Sequence, residues 1–346
     1  MTSERASKGW TLAGRKAWLI TDDKIGMQVQ VKGVADALGL DWEAKQVDPA
    51  GIWKMLAPFG PPDPKHRFGK PDGLLAPPWP EVAIATGRLS IPYIRALRRK
   101  AGLATFTVVL QDPKTGPKTA DLIWVPEHDR RRGPNVMTTL TAAHSFSPAR
   151  IRQLQATEPD WLASLVKPRV AVILGGPNQV YKFTDADDAK FAASLASIAR
   201  LGASFMITPS RRTHAGLRDA VLKATDGRPR YVWDGSGENP YPAFLAHADY
   251  FVVTGDSVNM SGEPLVTGKP VWIFEPSGGS AKFARFHSAL RQHGGTRSLP
   301  ETVEELCPWS YPPLDSAAAI ATEVERRWLR RQAMLQRPAN TPNHGP

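Results

Sequence analysis

Short apolar runs alternate with amphipathic segments along most of the chain. In the first half, six short runs predict strands, at 17–21, 42–47, 82–87, 105–110, 122–125 and 136–140. Segments 27–39 and 91–102 have apolar residues at helical spacing and end in glycine, which predicts helices. Segment 56–80 is rich in proline and glycine and predicts an irregular loop.

The second half repeats this rhythm after a connector at 149–167 that is predicted to be helical. Strands are predicted at 169–174, 204–208, 230–233, 250–254 and 270–274. Helices are predicted at 184–201, 214–224 and 242–247, in a segment ending at Gly268, and at 322–335. Thr184 and Asp187 have the spacing of a capping box for the first of these helices.

Strands separated by helices favour parallel sheets that are covered on both faces. Two such sets, divided near residue 150, predict an α/β fold with two Rossmann-like domains facing each other across a cleft. Ligands of such sheets bind beyond the carboxyl ends of the strands, so we expect the site in this cleft. We expect six segments: an N-terminal extension (1–16), an acceptor domain (17–150), a linker (151–167), a nucleotide-binding domain (168–300), a helical segment (301–336) and a disordered tail (337–346).

The composition indicates in which cellular compartment the protein is expected. The chain has 346 residues, of which 42% are hydrophobic, which is enough for two cores. It contains no apolar run of the roughly 18 residues that a transmembrane helix needs, and its first 16 residues do not resemble a secretory signal. The single cysteine, Cys307, excludes an intrachain disulfide. We therefore expect a cytoplasmic protein, either free or peripheral to a membrane.

The net charge of +11 favours anionic partners. The basic residues are mostly scattered, and neither a zinc-ligand spacing nor an aromatic RNA-binding motif accompanies them. We expect no nucleic acid partner. An anionic small molecule or a membrane surface fits the charge better.

Two candidate sites follow strands of the second half. The turn Gly175-Gly176 would let backbone N–H groups approach a phosphate closely, although a sharp turn alone also explains the glycines. Arg211 and Arg212 follow the next strand and could clamp a diphosphate with fork-like hydrogen bonds. The alternative for this pair is an ordinary surface position.

A third candidate, segment 254–264, combines several polar groups at a strand end. Asp256 and Ser257 are candidate helix N-caps, and Ser261 is a second cap candidate. Glu263 would lie near a helix N-terminus and face the cleft, where a carboxylate can accept hydrogen bonds from both hydroxyls of a ribose. The alternative is that these residues only cap helices and complement their dipoles.

In the first half, polar residues follow strands at the same expected edge. Asp23 or His128 could act as a general base that deprotonates an acceptor hydroxyl, and Arg88 could hold an anionic acceptor. Lys24 and Ser90 lie in the same strand-end segments and are further acceptor-binding candidates. Each of these residues, taken singly, is also compatible with an ordinary loop position.

The order and spacing of these segments resemble the mitochondrial fission ELM family, whose bacterial members are treated as glycosyltransferases. The resemblance covers residues 17 to about 295. Its matching pieces are Asp23-Lys24-x-Gly26, Gly87-Arg88-x-Ser90-x-Pro92, Gln111-x-Pro113, Pro126-x-His128-Asp129, Gly175-Gly176, Ser210-Arg211-Arg212-Thr213 and Asp256-Ser257-x-x-Met260-x-x-Glu263.

The resemblance implies a glycosyltransferase-B-like fold, with a nucleotide sugar in the C-terminal domain and an acceptor in the N-terminal domain. It implies that Glu263 binds the ribose and that Met260 belongs to the same nucleotide-sugar site. Gly262 and Pro264 flank this glutamate and would shorten the helix that carries it. Plant members of the family act in mitochondrial division in a recruiting role.

The resulting hypothesis is glycosyl transfer from a nucleotide-diphosphate sugar to an unknown acceptor, without a bound metal or cofactor. Arg211, Arg212 and the N–H groups after Gly175 and near Ser257 would stabilise the leaving group. The alternative is a non-catalytic scaffold that recruits a partner. A sugar epimerase with a G-x-x-G-x-x-G turn and a Tyr-x-x-x-Lys pair is rejected, because Leu97 stands where Tyr93 would need a lysine.

Overall fold

A computed structural model describes residues 10–23 and 25–336 and contains two sheets of six parallel strands each. In the N-terminal half the strands are ordered β2-β1-β3-β4-β5-β6. They are β1 (Lys16–Thr21), β2 (Asp41–Gln46), β3 (Val82–Thr86), β4 (Phe106–Leu110), β5 (Leu122–Pro126) and β6 (Val136–Thr139). The helices are α1 (Ile25–Ala37), α2 (Gly51–Leu56), α3 (Ile91–Ala101) and, in the connector, α4 (Pro148–Gln155).

The second sheet has the order β12-β11-β10-β7-β8-β9. Its strands are β7 (Arg169–Leu174), β8 (Ser204–Pro209), β9 (Arg230–Val232), β10 (Tyr250–Thr254), β11 (Val271–Phe274) and β12 (Thr296–Ser298). The helices of this half are α5 (Asp185–Arg200), α6 (Ala215–Ala224), α7 (Tyr241–His247), α8 (Val258–Gly262) and α9 (Ala281–Gln292), followed by the C-terminal helix α10 (Ser316–Leu335). A 3₁₀ turn, Glu263–Thr267, continues α8.

Successive residues of each central strand enter opposite hydrophobic layers, because side chains alternate across a sheet. In β1, Leu19 packs in the layer beneath α1, whereas Ile20 packs in the layer beneath α3. In β7, Val172 and Ile173 likewise belong to different clusters. Both faces of the central strands are therefore buried, as their continuous apolar runs predict.

The C-terminal helix α10 returns to the first half of the chain. Its residues Ile320, Val324 and Trp328 are buried in the layer that also contains Val34 of α1. The two halves are thus joined twice, through the connector around α4 and through the segment that leads to α10. No helix within residues 10–23 and 25–336 is long and apolar enough to cross a membrane.

The observed elements agree with most of the sequence expectations. The capping box of α5 is present, since Thr184 accepts a hydrogen bond from the N–H of Asp187 and the Asp187 carboxylate accepts one from the N–H of Thr184. Three elements, α2, α9 and β12, were not expected, and α10 begins at Ser316 rather than at 322. The tail expected at 337–346 lies outside the described residues.

Candidate functional site

A cavity of about 420 Å³ lies between the two halves, beyond the carboxyl ends of their strands. Residues from both halves line it, namely Gly26, Met27, Gln30, Gln111, Arg212, Asp256, Ser257, Val258, Asn259 and Phe283. This is the position at which parallel α/β sheets bind ligands. Of the candidates from the sequence, Arg212, Asp256 and Ser257 line this cavity.

The Asp256 carboxylate is the centre of the C-terminal wall. It is fully buried and accepts hydrogen bonds from the N–H of Gly176 (3.2 Å), the Thr254 hydroxyl (2.8 Å) and Nη2 of Arg212 (2.7 Å). Asn178 adds a fourth tie through its Nδ2, which donates to the Asp256 carbonyl oxygen (3.0 Å). The buried charge is therefore paired with a cation and satisfied by further donors, as a buried carboxylate requires.

The Gly175-Gly176 turn packs against this carboxylate. A Cβ atom on Gly175 would lie 2.0 Å from Oδ1 of Asp256, and one on Gly176 would lie 2.0 Å from the Arg212 carbonyl oxygen. The N–H of Gly175 donates to the Thr254 hydroxyl at 2.7 Å, and the N–H of Gly176 donates to Asp256. Both glycines are thus required by the protein's own atoms, and both N–H groups are used within the protein.

The loop after β8 is tied to the glycine turn by Thr213, whose hydroxyl donates to the Gly175 carbonyl oxygen at 2.7 Å. The same hydroxyl accepts a hydrogen bond from the N–H of Ser210 at 2.8 Å. The loop therefore holds Arg212 at the cavity, with 41% of its side chain exposed. The adjacent Arg211 is exposed on the same loop.

Ser257 caps α8, since its hydroxyl accepts the N–H of Met260 at 3.4 Å. The expectation that Asp256 also caps a helix is wrong, because its carboxylate turns towards the glycine turn and Arg212. Ser261 is not a cap either, because it lies inside α8 and its buried hydroxyl has no partner among the described residues. Met260 packs against the hydrophobic core of this half.

Glu263 begins the 3₁₀ turn that continues α8, one helical turn beyond Asn259. Its side chain is partly buried, next to the buried hydroxyl of Tyr241, and it does not line the cavity described above. Burial raises the pKa of Glu263 to about 7, and the interaction with Tyr241 only partly opposes that rise. Among the described residues, burial dominates the pKa of Glu263, whereas the Asp256 carboxylate is paired with the guanidinium of Arg212.

The N-terminal wall is built mainly from neutral side chains. Nε2 of Gln111 donates to Oε1 of Gln30 at 3.1 Å, and Met27 lies beside them. Gln111 has a left-handed backbone, with φ of 77°, which is strained for a residue other than glycine. Asp23 is exposed after β1, and Lys24 lies outside the described residues.

His128 lies where helix α9 of the second half meets the loop after β5. Its ring contacts Phe286 at 5.2 Å between centroids, and Nη2 of Arg285 donates to its carbonyl oxygen at 3.3 Å. The neighbouring Asp129 pairs with Lys282 at 2.7 Å. Burial, reinforced by the nearby Lys282, lowers the pKa of His128 to about 4, so the imidazole is neutral near pH 7.

Arg88 and Ser90 are engaged by the backbone of the first half. Nη1 of Arg88 donates to the Ala57 carbonyl oxygen at 2.5 Å. The buried Ser90 hydroxyl lies 2.8 Å from the carbonyl oxygens of both Thr86 and Gly87. Neither residue lines the cavity.

Five lining residues were not singled out from the sequence, namely Met27, Gln30, Val258, Asn259 and Phe283. Phe283 belongs to α9, which has readable end signals in its Ser280 cap and in Gly294 just beyond its end. Gln30 is 5% exposed on α1, where no pattern distinguishes it from other polar helix positions. Among the described residues, no group of three or more His, Cys, Asp or Glu is arranged to hold a metal ion.

Comparison with known proteins identifies a family whose members resemble the chain. A family model described as mitochondrial fission ELM1 matches residues 25–328. The mitochondrial fission protein ELM1 of Arabidopsis thaliana is 32% identical over 272 residues, which are 71% of this chain and 64% of that protein. An uncharacterised protein of Rickettsia prowazekii is 32% identical over 166 residues, which are 46% of this chain and 47% of that protein. The chain thus spans under two thirds of the first relative and about half of the second.

Among solved structures, UDP-GlcNAc 2-epimerase from Methanocaldococcus jannaschii superimposes with a TM-score of 0.50 at 9% identity, over 94% of each chain. At this identity the likeness shows the fold alone. The fold is α/β, with two Rossmann-like domains facing each other across a cleft, as in glycosyltransferase-B enzymes.

Proposed function

The chain belongs to the mitochondrial fission ELM1 family, and on that premise we propose that it binds a nucleotide-diphosphate sugar in its cleft and transfers the sugar to an acceptor. The solved structure with a similar fold is named for an enzyme of UDP-GlcNAc, a sugar of this class. In the proposed arrangement the second half binds the nucleotide sugar and the first half binds the acceptor.

The observation that carries this proposal is the position of Arg212 at the cavity between the two halves. Its guanidinium is anchored to Asp256 through Nη2 at 2.7 Å, while 41% of the side chain remains exposed. An anchored guanidinium still offers donors to a diphosphate and loses little freedom on binding it. Arg211 on the same exposed loop would add a second positive charge.

In the proposed reaction, an acceptor oxygen attacks the anomeric carbon of the sugar. The bond from that carbon to the diphosphate oxygen breaks, and the nucleoside diphosphate leaves with the bonding electrons. Arg212 and Arg211 stabilise the charge that develops on the leaving group. Asp23 or His128 takes the proton of the acceptor hydroxyl, and His128 is available in its neutral form because its pKa is about 4.

Glu263 is proposed to accept hydrogen bonds from the ribose hydroxyls. This role requires its carboxylate to turn from Tyr241 towards Asn259, which lines the cavity one helical turn earlier. Ligand binding would then favour the ionised form of Glu263 and lower its pKa.

Isothermal titration calorimetry with UDP, ADP and GDP tests the proposal. We expect one of these nucleotides to bind and the variant Arg212→Ala to lose about tenfold or more in affinity, because a hydrogen bond to a charged group contributes about 1.5–3 kcal/mol. Arg200→Ala is the matched control, since Arg200 is exposed at the far end of α5. Absence of binding by the parent protein at millimolar concentrations of all three nucleotides would contradict the proposal.

A second candidate is a scaffold that keeps the fold without the chemistry, and the glycine turn favours it. The Asp256 carboxylate occupies the space beside Gly175, and the two N–H groups of the turn donate to protein atoms. A resident negative charge at this position opposes a phosphate there. A scaffold would bind no nucleotide and would retain its protein partner equally well in the parent and in Arg212→Ala.

A further inference from the structure

Four large apolar side chains are exposed close together in the segment around α2. The exposed fractions are 61% for Ile52, 80% for Met55, 44% for Leu56 and 68% for Phe59. We call these four residues the α2 patch. Single exposed apolar residues are common on proteins, but four within eight positions form a surface that is typical of an interaction site.

The backbone beneath the α2 patch is held firmly by two arginines. Nη1 of Arg95 donates to the carbonyl oxygens of Pro58 (3.1 Å) and Phe59 (3.0 Å), and Nη1 of Arg88 donates to that of Ala57 (2.5 Å). The apolar side chains are therefore presented outwards by a fixed loop. This ordering lowers the entropy that docking on a partner would cost.

The charge around the α2 patch is positive. Residues 49–62 contain no aspartate or glutamate, and the exposed Lys54 lies on α2 itself. The nearest acid on the preceding segment, Asp48, is held by Lys65 (3.0 Å) and His66 (2.7 Å). Asp63 follows the segment, but it is only 5% exposed and accepts hydrogen bonds from the N–H groups of Ala50 and Lys65. With Arg88 and Arg95 beneath the loop, the exposed surface combines apolar side chains with an excess of cations.

The position of the α2 patch relates it to the cleft. Helix α2 follows the carboxyl end of β2, and Arg88, which binds the patch backbone, follows the carboxyl end of β3. The cavity lies at this same edge of the N-terminal sheet. A surface that contacts the α2 patch would therefore lie beside the N-terminal wall of the cleft.

We propose that the α2 patch docks on an anionic lipid bilayer, with its four apolar side chains entering the boundary between headgroups and acyl chains. Apolar side chains flanked by cations match a membrane surface, which offers apolar depth beneath a layer of negative charge. A second copy of this chain fits less well, because a symmetric contact would bring equal positive charges together. The proposal concerns lipid alone and does not depend on the nucleotide chemistry.

The test is co-sedimentation of the full chain, without nucleotide, with vesicles of phosphatidylcholine and phosphatidylglycerol at 3:1 and with pure phosphatidylcholine vesicles. We expect binding to the anionic vesicles, weaker binding at high salt, and at least tenfold weaker binding by the double variant Met55→Ser, Phe59→Ser. Both side chains are largely exposed, so the variant keeps the core intact, and circular dichroism checks its folding. The matched control is Leu329→Ser, Met334→Ser, which removes two exposed apolar side chains from α10.

Three outcomes would overturn the proposal. One is that the parent protein fails to bind the anionic vesicles or binds pure phosphatidylcholine equally well. Another is that the α2 variant binds as well as the parent, or that the α10 control loses binding to the same extent. A third is that light scattering shows a dimer that the α2 variant alone converts to a monomer, without vesicle binding, which would assign the patch to self-association.

Discussion

The C-terminal wall of the cleft presents a buried carboxylate bound to an arginine, whereas the N-terminal wall presents neutral amide and thioether side chains. Asp256 receives donors from Gly176, Thr254 and Arg212, and its position is fixed from three elements of the sheet. Gln111, which follows β4, donates a hydrogen bond to Gln30 of α1, and neither side chain carries a formal charge. Among the residues 10–23 and 25–336, the preorganised partner for a charged ligand group lies on the C-terminal wall.

This difference is consistent with the division of labour proposed above. A diphosphate carries fixed negative charge and gains most from a guanidinium that is already in place. A wall of neutral side chains does not select its ligand by charge. It can therefore bind an acceptor whose charge is unspecified. The contrast can be tested by measuring how much each wall contributes to stability and how strongly its members are coupled.

The largest expected effect comes from Asp256→Ala. This change leaves Arg212 without its carboxylate partner and Gly176 with an unsatisfied N–H, so we expect the free energy of unfolding to fall by about 3 kcal/mol. Urea unfolding followed by tryptophan fluorescence measures this loss.

The comparison variant is Asp129→Ala in the loop of the first half that meets α9. Its partner Lys282 is 50% exposed, so water replaces the lost carboxylate and the loss should stay below about 1 kcal/mol. Equal losses in the two variants would contradict the argument that the buried position of the Asp256 carboxylate makes its pairing with Arg212 costly to remove.

The next effect concerns Glu263, the acid that lies one helical turn beyond Asn259 of the C-terminal wall and outside the cavity lining. Its folded pKa is about 7, against 4.5 for the ordinary side chain, so the folded protein holds this proton more tightly than the unfolded chain. Stability from this group is therefore complete below pH 4.5 and is lost as the pH rises through 7. We expect Glu263→Gln to remove this loss and to be more stable than the parent by about 2–3 kcal/mol at pH 8.

Thermal unfolding of both proteins between pH 5 and pH 8 measures the difference. The matched control is Glu238→Gln, because Glu238 is exposed in a loop. Parallel stability curves for the parent and Glu263→Gln across this range would refute the assigned pKa.

The fold could be predicted because each central strand is a short apolar run covered on both faces. In β3, all five residues of Val82–Thr86 are buried, and such a run leaves little choice of structure. Helix α9 was missed because Lys282, Arg285 and Arg291 interrupt its apolar pattern, although Ser280 and Gly294 mark its ends. Helix α2 was missed because Gly51–Leu56 is only six residues long, too short to show a helical period.

The topology allowed the position of the site at the strand ends to be predicted, but not the contacts between its side chains. Strand ends indicated that Asp256, Arg212 and the glycine turn lie at one edge, but their direct pairing depends on side-chain directions that no local pattern encodes. The adjacent Asp256 and Ser257 both have side chains that are typical of helix N-caps, but in the structure Ser257 alone caps α8. The raised pKa of Glu263 comes from burial beside Tyr241, a residue of a different helix.

The smallest expected effect is the coupling between Gln30 and Gln111 on the N-terminal wall, measured by a double-mutant cycle with alanine. A hydrogen bond between two neutral amides should give a coupling energy of about 0.5 kcal/mol. The cost of the left-handed backbone at residue 111 is present in both backgrounds and cancels in the cycle. The parallel cycle on Asp256 and Arg212 should give about 2 kcal/mol, because that pair is charged and its carboxylate is buried. If the glutamine pair couples as strongly as the charged pair, the N-terminal wall is preorganised too, and the argument that it tolerates acceptors of unspecified charge fails.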